Sequence, residues 1–154
     1  MRLRIVASLT LLAATAALAA PLTKPAGLNI MHERHEGMEA IGKANKALRR
    51  ELSGDAPNIA TVRASANQIA GLAAKSAHWF PRGTGPELGK TGAKPEIWQK
   101  PADFSAKLRD FQAASNELRV MAARGDFAAI KASYAKLGDT CKACHDPYRS
   151  DMHH

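Results

Sequence analysis

The sequence predicts an all-α protein: an antiparallel four-helix bundle with a long Pro/Gly-rich loop between helices 2 and 3. Three observations carry this. Apolar residues recur at helical steps in four separate segments, and no segment alternates in the manner of a strand. The breaks at 53–57 and 125–126 are short, as between antiparallel neighbours, whereas the break at 81–101 is long for a small domain. Aromatic residues make up only 5% of the 154 residues while alanine is abundant, which suits helices packed closely through small side chains. Such a core has little bulk of its own, so something else is expected to fill part of the middle.

The chain opens with Arg2 and Arg4, continues uncharged from Ile5 to Ala20, and carries Ala17-Leu18-Ala19. These are the three regions of a secretory signal peptide, so 1–19 is expected to be removed and 20–154 to form the domain. An uncleaved anchor is the alternative, but the run is short and rich in Ala and Thr. No second stretch suits a membrane span. Cleavage lowers the formal charge from +8 to +6, because two arginines leave. An exported product makes nucleic acid an unsuitable partner for that charge.

The first helix spans Leu28 to Leu52, with Ile30, Met31, Met38, Ile41, Leu48 and Leu52 on one face. Ser53-Gly54-Asp55-Ala56-Pro57 ends it. The second runs from about Pro57 to Ala77, with Ile59, Val62, Ala66, Ile69 and Ala73 inward. Pro81 to Pro101 also holds Pro86, Pro95 and four glycines, so it cannot be a regular helix. Phe80 and Trp98 are expected to pin it to the bundle. The third helix runs from Asp103 to Arg124, with Phe104, Leu108, Phe111, Leu118 and Met121 inward. Gly125 suits the position after its end and Asp126 the N-cap of the next helix. The fourth carries Phe127, Ile130, Tyr134, Leu137, Cys141 and Tyr148 on one face.

Cys141-Lys142-Ala143-Cys144-His145 is the C-x-x-C-H haem attachment signature. Two thiols form thioethers with the haem vinyl groups, and the adjacent imidazole becomes an axial iron ligand. On a helix, Cys141, Cys144, His145 and Tyr148 share one face. A thioredoxin-like pair would need a βαβ context, a disulfide within one helical turn is strained, and a zinc site needs a further ligand nearby. Export agrees with haem attachment, because c-type haem is attached on the outer side of the bacterial membrane.

The motif lies in the last predicted helix, and Cys-Lys-Ala-Cys-His-Asp-Pro-Tyr-Arg at 141–149 resembles the cytochrome c′ family, the class II c-type cytochromes. The runs Phe80 to Pro86, Lys94 to Trp98 and Ala123 to Phe127 resemble that family as well. The resemblance implies an exported four-helix bundle with one haem c, bound covalently through Cys141 and Cys144. It makes His145 the proximal ligand and places Arg149 near a haem propionate and that histidine. Arg34 and Tyr148 are further candidates for haem contact. In the family, the residue four positions after an arginine of helix 1 faces the other side of the iron. Arg34-His35-Glu36-Gly37-Met38 has that spacing, so Met38 is the candidate sixth ligand, as in the low-spin, methionine-ligated branch. A methionine on an apolar face is more often simply core. Gly37 would let helix 1 approach another surface closely. His35 is a minor alternative ligand, Met31 is packing, and His32 and His78 have no identifiable partner. His153 and His154 suit a solvated tail.

These residues imply a periplasmic electron carrier, not an enzyme, with iron held by His145 and Met38 and no second constellation of acid, base or nucleophile. Its basic surface would meet an acidic redox partner. The alternative is a five-coordinate protein that binds NO or CO at an open haem face. The resemblance leaves a homodimer open.

Overall fold

The computed structural model describes residues 22–150. The signal-peptide expectation for 1–19 and the tail histidines His153 and His154 lie outside them. Five helices follow in order: α1 (Lys24–Ser53), α2 (Ile59–Lys75), the short α3 (Glu96–Gln99), α4 (Pro101–Arg124) and α5 (Phe127–Tyr148). A 3-10 turn, Ser76–His78, extends α2. Among the described residues no helix is long and apolar enough to cross a membrane. The four long helices form the expected bundle, and the connection from 76 to 100 crosses one end of it.

Local chemistry sets the ends. Thr23 caps α1, and Pro25 lies in its first turn, where a missing N–H costs nothing. The start of α2 differs from expectation: Asn58, not Pro57, sets it. The Asn58 side chain accepts from the N–H groups of Ala60 and Thr61 at 2.9 and 3.2 Å. Gly125 ends α4 at φ 80°, a left-handed conformation that favours glycine. Asp126 then caps α5 by accepting from Ala128 and Ala129. The connection contains one helical turn, α3, which the density of proline and glycine concealed.

The bundle body is mostly aliphatic, with Phe111 as its buried ring. Leu48, Val62, Ile69, Leu118 and Ile130 are fully buried, interleaved with Ala44, Ala66, Ala73, Ala114 and Ala122. A second apolar cluster sits under the connection: Ile97, Phe104 and Tyr148, with Phe80 and Trp98 against them. Phe80 meets Phe104 edge-on at 4.8 Å, and Phe104 meets Tyr148 at 5.2 Å. The Trp98 indole N–H donates to the carbonyls of Phe80 and Pro81, so both aromatics pin the loop as expected. Arg34 pins it more extensively: it donates to Trp79 O, Thr84 O and the hydroxyls of Thr84 and Thr91.

Helix α1 packs on α2, α2 on α4 and α4 on α5, but α1 and α5 scarcely close the ring. Where they do meet, the Tyr134 hydroxyl donates to Asn45 O at 3.5 Å. Towards the connection, the N-terminal half of α1 and the C-terminal half of α5 run to the same end.

Two predictions follow from this packing. The ring carbon Cζ2 of Trp79 stands 2.5 Å from where a Cβ on Gly37 would lie. Gly37→Ala therefore overpacks a site whose neighbour is a rigid, buried ring. The cost of about 1–3 kcal/mol outweighs the ~1 kcal/mol gain in helix propensity. The urea midpoint should fall, whereas it should rise for Gly71→Ala, where nothing lies within 4 Å. The second concerns the end of α5. Burial first, then its hydrogen bond to Asp103, pushes the Tyr148 phenol up to about 12. Folding thus holds a proton that the unfolded chain releases above about pH 10. Stability from this group is complete below about pH 10 and is lost as pH rises through about 12. Urea titrations across that window should show a shallower fall for Tyr148→Phe than for the wild type.

Candidate haem site

Helix α5 brings the motif to the seam between the two apolar clusters. Cys141 packs against the bundle body, and Cys144, one turn on, against the cluster of Ile97, Phe104 and Tyr148. Both are free thiols, half-buried. Burial raises the pKa of each; at Cys144, Lys107 opposes this, while Cys141 and Asp103 reinforce it. Both sulfurs are therefore held as neutral thiols. Among the described residues, no cluster of three metal-ligating side chains includes either cysteine, which argues against the zinc reading.

His145 has the exposure of a surface residue, yet the chain around its ring is enough to push its pKa down. Arg149 adds to this, and Asp146 pulls the other way. The result favours a neutral imidazole, the state that can donate a lone pair to iron. Arg149 itself is exposed, and its backbone N–H donates to His145 O at 2.9 Å. The chain beyond α5 is held by the connection: Lys94 N–H donates to Tyr148 O and Ser150 N–H to Gly92 O, both at 2.9 Å. Pro147 lies within the last turn of α5 without ending it earlier.

Across the weakly closed edge, Met38 is half-buried and packs against neither cluster, although it lies on the inward stripe of α1. Gly42, one turn further on the same face, is also half-buried, yet apart from its own helix backbone and chain neighbours no heavy atom lies within 4 Å of where its Cβ would stand. Ile41 and Cys141 both pack against the bundle body. The antiparallel helices therefore carry Met38 and the Cys144–His145 pair beyond the same core, towards the same end. Open space beside α1, two thiols at a seam and a neutral imidazole fit a flat, covalently held macrocycle. His35 points away from this space: it is exposed and paired with Glu39. Met31 is buried and packs near Gly89 of the connection, as packing.

Two candidates are placed differently from the simple one-face reading. Tyr148 is 3% exposed and packs on Phe104, with its hydroxyl donating to Asp103, so it anchors α5 to α4. The guanidinium of Arg34 is occupied by the connection. A role the spacing did not disclose belongs to Trp79, whose ring lies on Gly37. Only the glycine itself signalled it. A groove of about 600 Å³, lined by Arg82, Gly83, Glu87, Pro95, Trp98 and Gln99, shares no residue with the motif.

Comparison with known proteins agrees with this site. The family model for cytochrome c′ matches residues 29–149. Cytochrome c′ of Allochromatium vinosum is 36% identical over 121 residues, 76% of this chain and 77% of that protein. The crystal structure of cytochrome c′ from Thermochromatium tepidum superposes with a TM-score of 0.76 at 33% identity, covering 81% of this chain and 98% of that one. A second cytochrome c′ structure, described by an unusual ligand-controlled dimer dissociation, gives 0.75 at 32% identity over 86% and 100%. With the attachment motif at the seam of an antiparallel bundle, these matches show that the chain belongs to the cytochrome c′ family of haem-bearing c-type cytochromes.

Proposed function

We propose that this protein is an exported electron carrier with one haem c, joined by thioethers to Cys141 and Cys144, and that His145 and Met38 hold the iron from opposite sides. The haem supplies the one-electron ferric/ferrous chemistry. The observation that carries the reading is Met38: an inward methionine outside both apolar clusters, beside open space at Gly42. A thioether is neutral and soft, suits ferrous iron and raises the reduction potential. Rigid α1 holds it, because Gly37 is clamped under Trp79 and Arg34 is tied to the connection. Arg149, whose charge already acts on His145, favours the electron-rich state of the site. Exposed Arg149 beside His145 offers a basic edge to an acidic redox partner, while Lys142 is paired with Asp146. The protein acts as a carrier rather than an enzyme, and the leader at 1–19 directs it to the periplasm. A homodimer, as in the relative whose dimer dissociates under ligand control, belongs to the same reading.

The competing outcome is an open haem face that binds NO or CO, with Met38 as a steric gate. Absorption spectra of the purified haem protein separate the two. A sharp low-spin ferrous α-band without added ligand is expected. Met38→Ala should convert it to a broad high-spin spectrum that responds to carbon monoxide. A wild type that is already high-spin, or a variant with unchanged spin state, would sink the Met38 assignment. Cys141→Ala and Cys144→Ala should each shift the pyridine haemochrome band, as expected when one thioether is lost.

A further inference from the structure

A second cluster of ligating side chains lies on the outer face of α1. His35, Glu36 and Glu39 are all exposed, and one ligand atom from each lies within 4.8 Å of the others. The i, i+4 spacing of His35 and Glu39 sets two side chains one above the other on the helix. His35 Nε2 stands 3.4 Å from Glu39 Oε1. A tetrahedral zinc ion with bonds of about 2.1 Å has ligand-to-ligand edges of about 3.4 Å. One edge of such a tetrahedron is therefore already formed, and Glu36 supplies a third donor within reach.

We propose that His35, Glu36 and Glu39 form a surface site for a divalent transition-metal ion of the zinc class, with water completing the shell. The donor set decides the class. An imidazole with two carboxylates suits zinc, copper(II) or nickel, whereas magnesium and calcium take oxygen donors alone. Two carboxylates also balance a dication. Lys43 lies 3.5 Å from Glu39 Oε2, leaving Oε1, the oxygen nearest His35, free for the metal. The backbone that presents the ligands is held on its other side. Arg34 is hydrogen-bonded to the connection and Gly37 is packed under Trp79, so this turn of α1 is fixed before metal arrives. Three protein ligands on an exposed helix leave at least one position open to exchange. The site makes no use of the haem ligands and stands whether or not Met38 binds iron.

Isothermal titration of the haem-loaded protein with zinc chloride tests this. His153→Ala and His154→Ala are included in every sample to remove the tail imidazoles. One zinc ion per chain is expected, with no comparable heat from magnesium chloride. His35→Ala and Glu39→Gln should each weaken zinc binding by at least about tenfold, since even outer-shell losses cost that much. All three ligand side chains are exposed, so these variants keep the fold, and the unchanged haem spectrum reports it. Absence of zinc binding, equal binding of magnesium, or retention of zinc affinity in His35→Ala would overturn the proposal.

Discussion

Arg34 carries a cation into a place that water barely reaches. The side chain is 5% exposed, and burial pulls its pKa down to about 10 against the opposing charge of Glu87. A buried guanidinium persists only when its donors are taken. Here they go to Trp79 O and Thr84 O at 3.0 and 2.9 Å and to the hydroxyls of Thr84 and Thr91. The Phe80 ring covers the cation at 5.1 Å. Every one of these partners lies between 79 and 91, in a stretch with no regular structure of its own. One side chain of α1 thus gives a proline- and glycine-rich segment its shape.

The rest of the upper bundle follows from that anchorage. Once the connection is held, the Trp79 ring packs against Gly37 and Trp98 ties Phe80 and Pro81 to α3. The same segment then receives the end of α5, through Gly92 and Lys94. The attachment motif is positioned twice over. Helix α4 packs along α5 from one side, and the connection holds the residues just beyond the motif from above. Loss of Arg34 would leave several buried acceptors without donors and would release both controls together. On the proposed reading, such double support would keep His145 in one orientation.

The parts of the fold legible in the sequence were those governed by local chemistry. The four helical stripes, Gly125 and Asp126 depend on spacing and on single-residue preference, and they appear where expected. The start of α2 was misplaced because Pro57 is a visible helix-start signal, whereas the Asn58 cap competes for the same place. The turn of α3 was concealed because it is stabilised by burial of Ile97 rather than by its own propensity. At the candidate site, one contiguous motif assigned Cys141, Cys144 and His145 to the last helix, and α5 carries all three. Arg34 was read as a spacing marker and a candidate haem contact, not as the anchor of the connection, because its partners are 45–57 residues away. Contacts of that range leave no periodic trace. Tyr148 was read onto the face of Cys141, Cys144 and His145, but it packs on Phe104 and its hydroxyl partner, Asp103, belongs to another helix.

The shortage of aromatic bulk now divides into two causes. In the bundle body the alanines do what small residues do: Ala44, Ala66, Ala73, Ala114 and Ala122 let helices approach closely, and the leucines and isoleucines between them fill the space. No large group is missing there. Phe111, Phe127 and Tyr134 are the rings of that body, and the other five, Trp79, Phe80, Trp98, Phe104 and Tyr148, gather at the connection. Between these regions α1 and α5 part, Gly42 faces open space, and Met38 stands outside both clusters. Both apolar clusters end at this seam, and the two thiols lie at its edge. The composition that first looked deficient thus has a structural side: most of the aromatic side chains gather at the connection, and on the proposed reading a haem would add the bulk that the aliphatic body lacks.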